Sequence, residues 1–273
     1  MIGLSILVAF ILIALFGPLF LHKYTEPYPP KSIEWAAENE VYSPPNGDYW
    51  FGTDVFGRDV FTLTIIGTRA SLAVGILAAL ISIVVGTTVG ISSGYLGRKS
   101  DELLMRLTDF FLVIPWFPFM IVLTMLMGRN FTIVIFVIGI TSWPSTARIV
   151  RAQVLMLKEK GFVERARCIG AGGGRIIWRH ILPNVFPLIF ANTILLVANA
   201  IFSESFLDYF GLGDPEVVSW GWMLDEAENY DAFTSEAMWW IAAPGICIVM
   251  LIMAFYLVGD ALDEVLNPKL RRR

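Results

Sequence analysis

Few side chains in this sequence are equipped for covalent chemistry. The best-suited groups are two histidines, His22 and His180, and two cysteines, Cys168 and Cys247. The apolar segments hold no His-Glu-x-x-His, no serine–histidine arrangement and no paired aspartates, which argues against an intramembrane enzyme. The glycine run Gly170–Gly174 reads Gly-Ala-Gly-Gly-Gly. It follows no strand and precedes no Lys-Ser/Thr, so it is neither a dinucleotide fingerprint nor a phosphate loop. The cysteines fall in segments of different character, which argues against a disulfide scaffold. What remains is the chemistry of polar contact. Glu164 and Arg167 are candidates for polar contact, and Glu164 equally for favouring the start of its own helix. Asp54, Arg58, Asp59 and Glu204 suit either contact with a partner protein or capping and anchoring. Asn192 and Asn199, seven apart, share a helix face and either line a cavity or bond another helix.

The elements that must position these groups are strongly apolar. Residues of the set AVILMFWYC make up 56% of the 273 residues, charged residues 16%, and mean hydropathy is +0.66. A soluble domain carries about 25% charge. A water-soluble globule of this size cannot hide so much apolar surface, so the chain is read as lipid-embedded. Intrinsic disorder is excluded by the same numbers. A net charge of −4 excludes a basic nucleic-acid binder.

Stretches free of Asp, Glu, Lys and Arg occur at 1–21, 70–97, 110–128, 130–147, 180–203 and 237–259. A helix needs roughly 20 apolar residues to cross about 30 Å of hydrocarbon. Six transmembrane helices are predicted, at about 1–21, 70–97, 108–128, 130–148, 183–203 and 237–259. The first lacks a basic leader and a cleavage site, and is read as a span rather than a signal peptide. The segments 98–106, 148–179 and 260–273 carry 15 Lys/Arg and 7 acids, whereas 22–69, 129 and 204–236 carry 5 Lys/Arg and 16 acids. Lys/Arg enrichment marks the cytosolic side. Both termini are therefore predicted cytosolic, with outer loops 22–69 and 204–236, a cytosolic segment 149–182 and a cytosolic tail 260–273. Lys269 and Arg271–Arg273 in the tail agree. No span has an ionisable residue at its centre, which disfavours a self-sufficient channel or an ion-coupled carrier.

Local patterns refine this picture. Pro27, Pro29, Pro30, Pro44 and Pro45 predict extended or turn structure in the first outer loop. Arg58–Arg69 is expected to form a short helix on the outer membrane face. Gly86, Gly90 and Gly94 form a small-residue ladder for close helix packing. Pro115 and Pro118 are both expected to kink the third span. Residues 148–182 keep helical periodicity through Phe162, Val163, Ala166 and Ile169, break at Gly170–Gly174, and resume at Ile176 and Ile177. This reads as helix, glycine turn, helix, and so long a structured loop is read as a docking element.

At this point a family resemblance emerges. Glu164-Arg165-Ala166, Gly170 and His180-Ile181-Leu182-Pro183 resemble the cytosolic coupling motif of ABC importer permeases. Arg165 stands where a second alanine is usual. His180 stands where isoleucine is commonest, and His-x-Leu-Pro-Asn is similar to the oligopeptide and dipeptide branch. Gly52-Thr53-Asp54, Gly57-Arg58-Asp59 and Gly67-Thr68-Arg69-Ala70-Ser71-Leu72 resemble an outer signature of that branch. So do Gly211-Leu212-Gly213 and Ser219-Trp220-Gly221, although Asp208-Tyr209-Phe210 replaces the usual Ser-Phe-Leu.

The resemblance implies an all-α membrane protein with a type I ABC importer permease fold, one permease domain over 1–273, and a prokaryotic inner-membrane location. It implies a homologous sister permease, two ATP-binding subunits and an extracytoplasmic substrate-binding protein as partners, besides the lipid bilayer and without nucleic acid. Glu164–Pro183 would carry the coupling helix, and Gly170 its turn. No cofactor is expected in this chain, because ATP and Mg would sit in the ATPase partners. Di- and oligopeptides are the commonest substrates of the branch, with nickel chelates and sugars as alternatives.

Overall fold

The computed structural model describes residues 1–20 and 40–266. Pro27, Pro29, Pro30 and His22, and the basic tail from Lys269 to Arg273, lie outside the described residues. The charge-free stretches become helices, since only a helix satisfies its backbone within one segment in lipid. In chain order these are α1 (Ile2–Phe20), α2 (Val60–Leu96), α3 (Arg98–Val113), α4 (Trp116–Met127), α5 (Phe131–Lys158), α6 (Gly161–Cys168) and α7 (Gly173–Ile176). A π-turn at Ile177–Ile181 joins α7 to α8 (Leu182–Tyr209), followed by α9 (Trp220–Asn229) and α10 (Met238–Leu266). Among the described residues the one β-bridge pairs Thr53 with Asp59.

Each of the six expected spans contains helical residues, but the described residues give four or five candidate spans rather than six. Four rods are long and apolar enough to cross a membrane: α2, α5, the continuous α7–α8 unit and α10. The α3–α4 pair, bent by 90°, makes a fifth only if its two helices count as one span, and Ile2–Gly17 in α1 is a shorter apolar helix. The bend is larger than a kink, and one proline makes it. Ile114, the residue before Pro115, is forced into the extended region at φ −68° and ψ 129°. Pro118 falls in the first turn of α4, where a missing N–H costs nothing, so it adds no kink.

The separate outer-face helix expected at Arg58–Arg69 does not form. Those residues are the first turns of α2, which runs unbroken for 37 residues, roughly 55 Å at about 1.5 Å per residue. Asp59 caps it, accepting from the N–H groups of Phe61 and Thr62 at 3.2 Å each. Val60 and Leu63 are fully buried, so this stretch belongs to the core and not to a lipid interface.

The glycine ladder positions α2 against α5, the most extensive helix contact among the described residues. A Cβ at Gly86 would lie 2.6 Å from Thr146, one at Gly90 2.7 Å from the Ala147 carbonyl, and one at Gly94 2.9 Å from Val154. Only glycine lets the backbones approach this closely. Gly3 of α1 meets Leu257 of α10, and Gly17 meets Ile65 of α2, so α1 lies between those helices. At the end of the bundle that carries the basic segments, Val163, Ala166, Ile176 and Ile181 are buried with Ile91, Val150 and Val154 in one apolar cluster. That cluster seats the α6–α7 segment on α2 and α5.

Candidate functional site

Helix α6 presents two faces. Val163 and Ala166 point into the bundle, whereas Glu164, Arg165 and Arg167 are exposed. Position 165 faces solvent, so a long arginine fits where alanine is usual in the resembling motif. Glu164 stands in the first turn and Arg165 and Arg167 in the last, each at the end its charge favours. The helix stops at Gly170, which takes φ +82° with nothing within 4 Å of a notional Cβ. Space does not demand glycine there; the left-handed backbone does. The N–H of Gly170 closes on the Arg167 carbonyl at 2.9 Å and that of Ala171 on Ala166 at 3.0 Å. The segment then returns along α7 and the π-turn. The His180 ring lies 6.2 Å from that of Phe162, Leu182 is half-buried, and Pro183 is exposed at the start of α8.

Contacts of five side chains, Tyr95, Lys158, Arg151, Asp101 and Ser93, which sequence reasoning did not foresee, fasten this end of the bundle. Tyr95, at the last turn of α2, lies 6.0 Å from both the Lys158 ammonium and the Arg167 guanidinium. Lys158, at the end of α5, donates to the Tyr95 carbonyl at 2.9 Å. Beside them Arg151 donates twice to Asp101, at 2.6 Å through each nitrogen, and Ser93 donates to the same carboxylate. Asp101 lies in the polar first turn of α3, ahead of its apolar stretch. The hydrogen bonds from Arg151 hold its carboxyl below the ordinary aspartate range. The sequence signal for these contacts was weak, since 50 residues separate Asp101 from Arg151.

At the opposite end the outer motifs converge. Gly52 and Gly57 take φ +69° and +71° and fold 52–59 into a tight loop. Asp54 accepts from the N–H groups of Phe56 and Arg58 at 2.8 and 2.9 Å, and pairs with the Arg58 side chain. Arg58 also donates to Glu226 of α9 at 2.7 Å and lies 4.6 Å from the Phe56 ring and 5.2 Å from that of Trp222. Burial pushes the Asp54 carboxyl up, against the pull of the guanidinium. Thr53 is buried and its carbonyl accepts from the Trp239 indole at 3.0 Å.

Ser71 donates to Glu204 at 3.2 Å and accepts from the Trp220 N–H at 3.3 Å, while the Trp220 indole donates to the Thr64 carbonyl at 2.9 Å. Ser219 caps α9 and donates to Asp208. A Cβ at Gly213 or Gly221 would collide with Asp208, and Gly211 takes φ +67°. Asp54, Arg58 and Glu204 are thus buried with partners inside the chain, and Asp59 is a helix cap, whereas Arg69 alone of these charges is exposed. Helix α9, which sequence reasoning also missed, is what gathers the motifs.

The two asparagines part company. Asn192 donates to Thr146 of α5 at 3.1 Å and bonds two helices together. Asn199 is exposed and lines a chamber of about 350 Å³ between α3, α4, α5 and α8. Thr141, Ser142, Ser145 and Ser203 share its walls with Phe111, Trp116 and Phe202. The 90° break between α3 and α4 opens this space. Among the described residues no group of His, Cys, Asp and Glu side chains could hold a metal ion.

Comparison with known proteins agrees with this geometry. Residues 86–272 match the family described as binding-protein-dependent transport system inner membrane component. Residues 1–45 match the N-terminal TM domain of oligopeptide transport permease C. The oligopeptide transport system permease protein OppC of Bacillus subtilis is 36% identical over all of this chain and 86% of its own length. The dipeptide transport system permease protein DppC of the same organism is 38% identical over all of this chain and 82% of its own length. OppC of Haemophilus influenzae is 40% identical over 82% of this chain and 71% of its length. Inward-facing structures of the MetNI methionine ABC transporter share the fold, with a TM-score of 0.60 at 17% identity, covering 75% of this chain and 96% of theirs. A bundle that is helical among the described residues, with a glycine turn in the segment at one end and a motif cluster at the other, matched along its full length, makes this chain a member of the binding-protein-dependent transport system inner membrane components, the permease subunits of ABC importers.

Proposed function

We propose that this permease forms half of a translocation path for di- and oligopeptides, and that α6 and its glycine hinge are the element through which ATP hydrolysis elsewhere moves it. One observation carries the peptide reading: full-length similarity to proteins named as oligopeptide and dipeptide permeases. The coupling reading rests on α6, whose charged face is exposed while its apolar face is seated on α2 and α5.

In this reading the basic end of the bundle is cytosolic, because Lys and Arg are retained there. Both termini lie on that side. Glu164, Arg165 and Arg167 meet a groove on an ATPase subunit, which supplies ATP and Mg, and this chain needs no cofactor of its own. A sister permease completes the path, and a substrate-binding protein delivers peptide to the acidic outer end. When the ATPases close, α6 is displaced. The α7–π-turn–α8 rod and the Tyr95 contacts carry that displacement into the bundle.

The test is uptake of a labelled tripeptide into liposomes holding the assembled importer. Uptake is expected only with ATP, binding protein and both permeases. Equal uptake by this chain alone would overturn the proposal.

A further inference from the structure

We infer that the chamber between α3, α4, α5 and α8 is a transient subsite for the backbone of an extended peptide, read through its N–H donors. This deepens the peptide reading and rests on it. The polar wall has spent its hydrogens locally. The Thr141 hydroxyl donates to the Val137 carbonyl at 2.8 Å, Ser142 to Ile138 at 2.7 Å, and Ser203 to Asn199 at 2.8 Å. The Asn199 amide donates to the Leu195 carbonyl at 3.0 Å, and its side-chain oxygen accepts from the Tyr256 hydroxyl at 3.3 Å, which leaves it one further lone pair. Each of these oxygens keeps lone pairs, and lone pairs are what the chamber receives. Pro144 adds to the imbalance, since it has no N–H to give the carbonyl of Ile140. Against this stand the Trp116 indole, the second amide hydrogen of Asn199 and the uncapped first N–H groups of α4 at Trp116 and Phe117.

A wall weighted towards acceptors selects ligands that bring donors. A peptide backbone brings one N–H per residue, while a phosphate or a free carboxylate brings only further lone pairs. No ionisable side chain lines the chamber, so no side-chain charge on a passenger is preferred. The facing wall of Phe111, Trp116 and Phe202 accepts apolar side chains. The volume, about 350 Å³, lies at the lower end of the roughly 300–1,000 Å³ usual for ligand sites and fits a short stretch of peptide. Neutral hydrogen bonds hold a passenger weakly enough to release it, as a translocation path requires.

The experiment uses the assembled importer in liposomes, with trialanine and trialanine methylated on both peptide nitrogens, each saturating the binding protein. Wild type is expected to import trialanine about tenfold faster than the methylated analogue, and S142A/S203A to narrow that gap to about twofold. An unchanged gap in the variant, with trialanine still imported by wild type, overturns the subsite alone. Failure of wild type to import either peptide overturns the peptide reading and the subsite with it. Should the double variant not assemble, Ser142→Cys gives a second measurement. Its labelling by a small maleimide is expected to slow several-fold during trialanine turnover, and an unchanged rate overturns the subsite.

Discussion

Arg151 holds Asp101 through two parallel hydrogen bonds of 2.6 Å, tying the start of α3 to the middle of the last turns of α5. Such a paired geometry is stronger than a single surface ion pair. Arg151→Met is expected to lower bundle stability by about 1 kcal/mol, since both side chains are partly exposed. Thermal unfolding of the purified chain checks this. The sign with pH follows from the depressed Asp101 carboxyl. The stabilisation is complete above the ordinary aspartate value of about 3.9 and is lost as pH falls through the lower folded value. The gap in melting temperature between wild type and Asp101→Asn should therefore persist at pH 7 and close only in acid below about pH 4.

Gly170 owes its identity to backbone angle rather than space. Gly170→Val is expected to strain the turn by about 1–2 kcal/mol and to misalign α6, so that ATP is hydrolysed without uptake. Gly170→Asn, which tolerates the left-handed region, should retain most coupling. The ratio of peptide imported to ATP hydrolysed separates them, and equal ratios would contradict the hinge role.

Tyr95 is the shared support of Lys158 and Arg167. Tyr95→Leu removes the ring face both cations approach, worth about 0.5–1 kcal/mol each at such sites. Uptake driven by ATP should fall severalfold while Tyr95→Phe keeps near-normal rates. If Leu and Phe behave alike, the ring is not the transmitting contact.

The buried Arg58 joins the 52–59 loop to α9. Arg58→Met leaves Asp54 buried without its cation, at a cost of about 3–5 kcal/mol. Adding Asp54→Asn should recover part of the loss. A melting series on the single and double variants measures that recovery.

The glycine ladder gives a sharp contrast. Gly86→Val is expected to prevent α2 and α5 from closing, costing about 3 kcal/mol or more of packing, and the protein should fail to accumulate in the membrane. Gly245, in α10 with nothing within 4 Å of a notional Cβ, should accept alanine with a gain of about 0.5–1 kcal/mol. Membrane yield and melting temperature distinguish the two sites.

The spans were legible in the sequence because charge-free length is a one-dimensional property. Gly86, Gly90 and Gly94 announced a close neighbour, though not that it would be α5. The glycine break at 170–174 and the two-faced pattern of Val163 and Ala166 were equally local, and the elbow could be drawn from them. Helix α9 was hidden because Trp220–Asn229 is short and acidic at its end, so its buried Trp220 and Met223 looked like loop residues. The start of α2 was misjudged because Arg58 and Arg69 resembled anchors at a lipid boundary, whereas Arg58 is buried between Asp54 and Glu226, the latter 168 residues distant. The chamber depends on a backbone break at Ile114 meeting hydroxyls on α5 and α8, and no window along the chain contains that meeting.

At roughly 55 Å, helix α2 is longer than the hydrocarbon thickness of about 30 Å, with the Asp59 cap at one extremity and Tyr95 at the other. In the proposed assembly it is therefore a single strut between the binding-protein side and the ATPase side, so cargo arriving at one end and fuel burned at the other would bear on the same rigid beam.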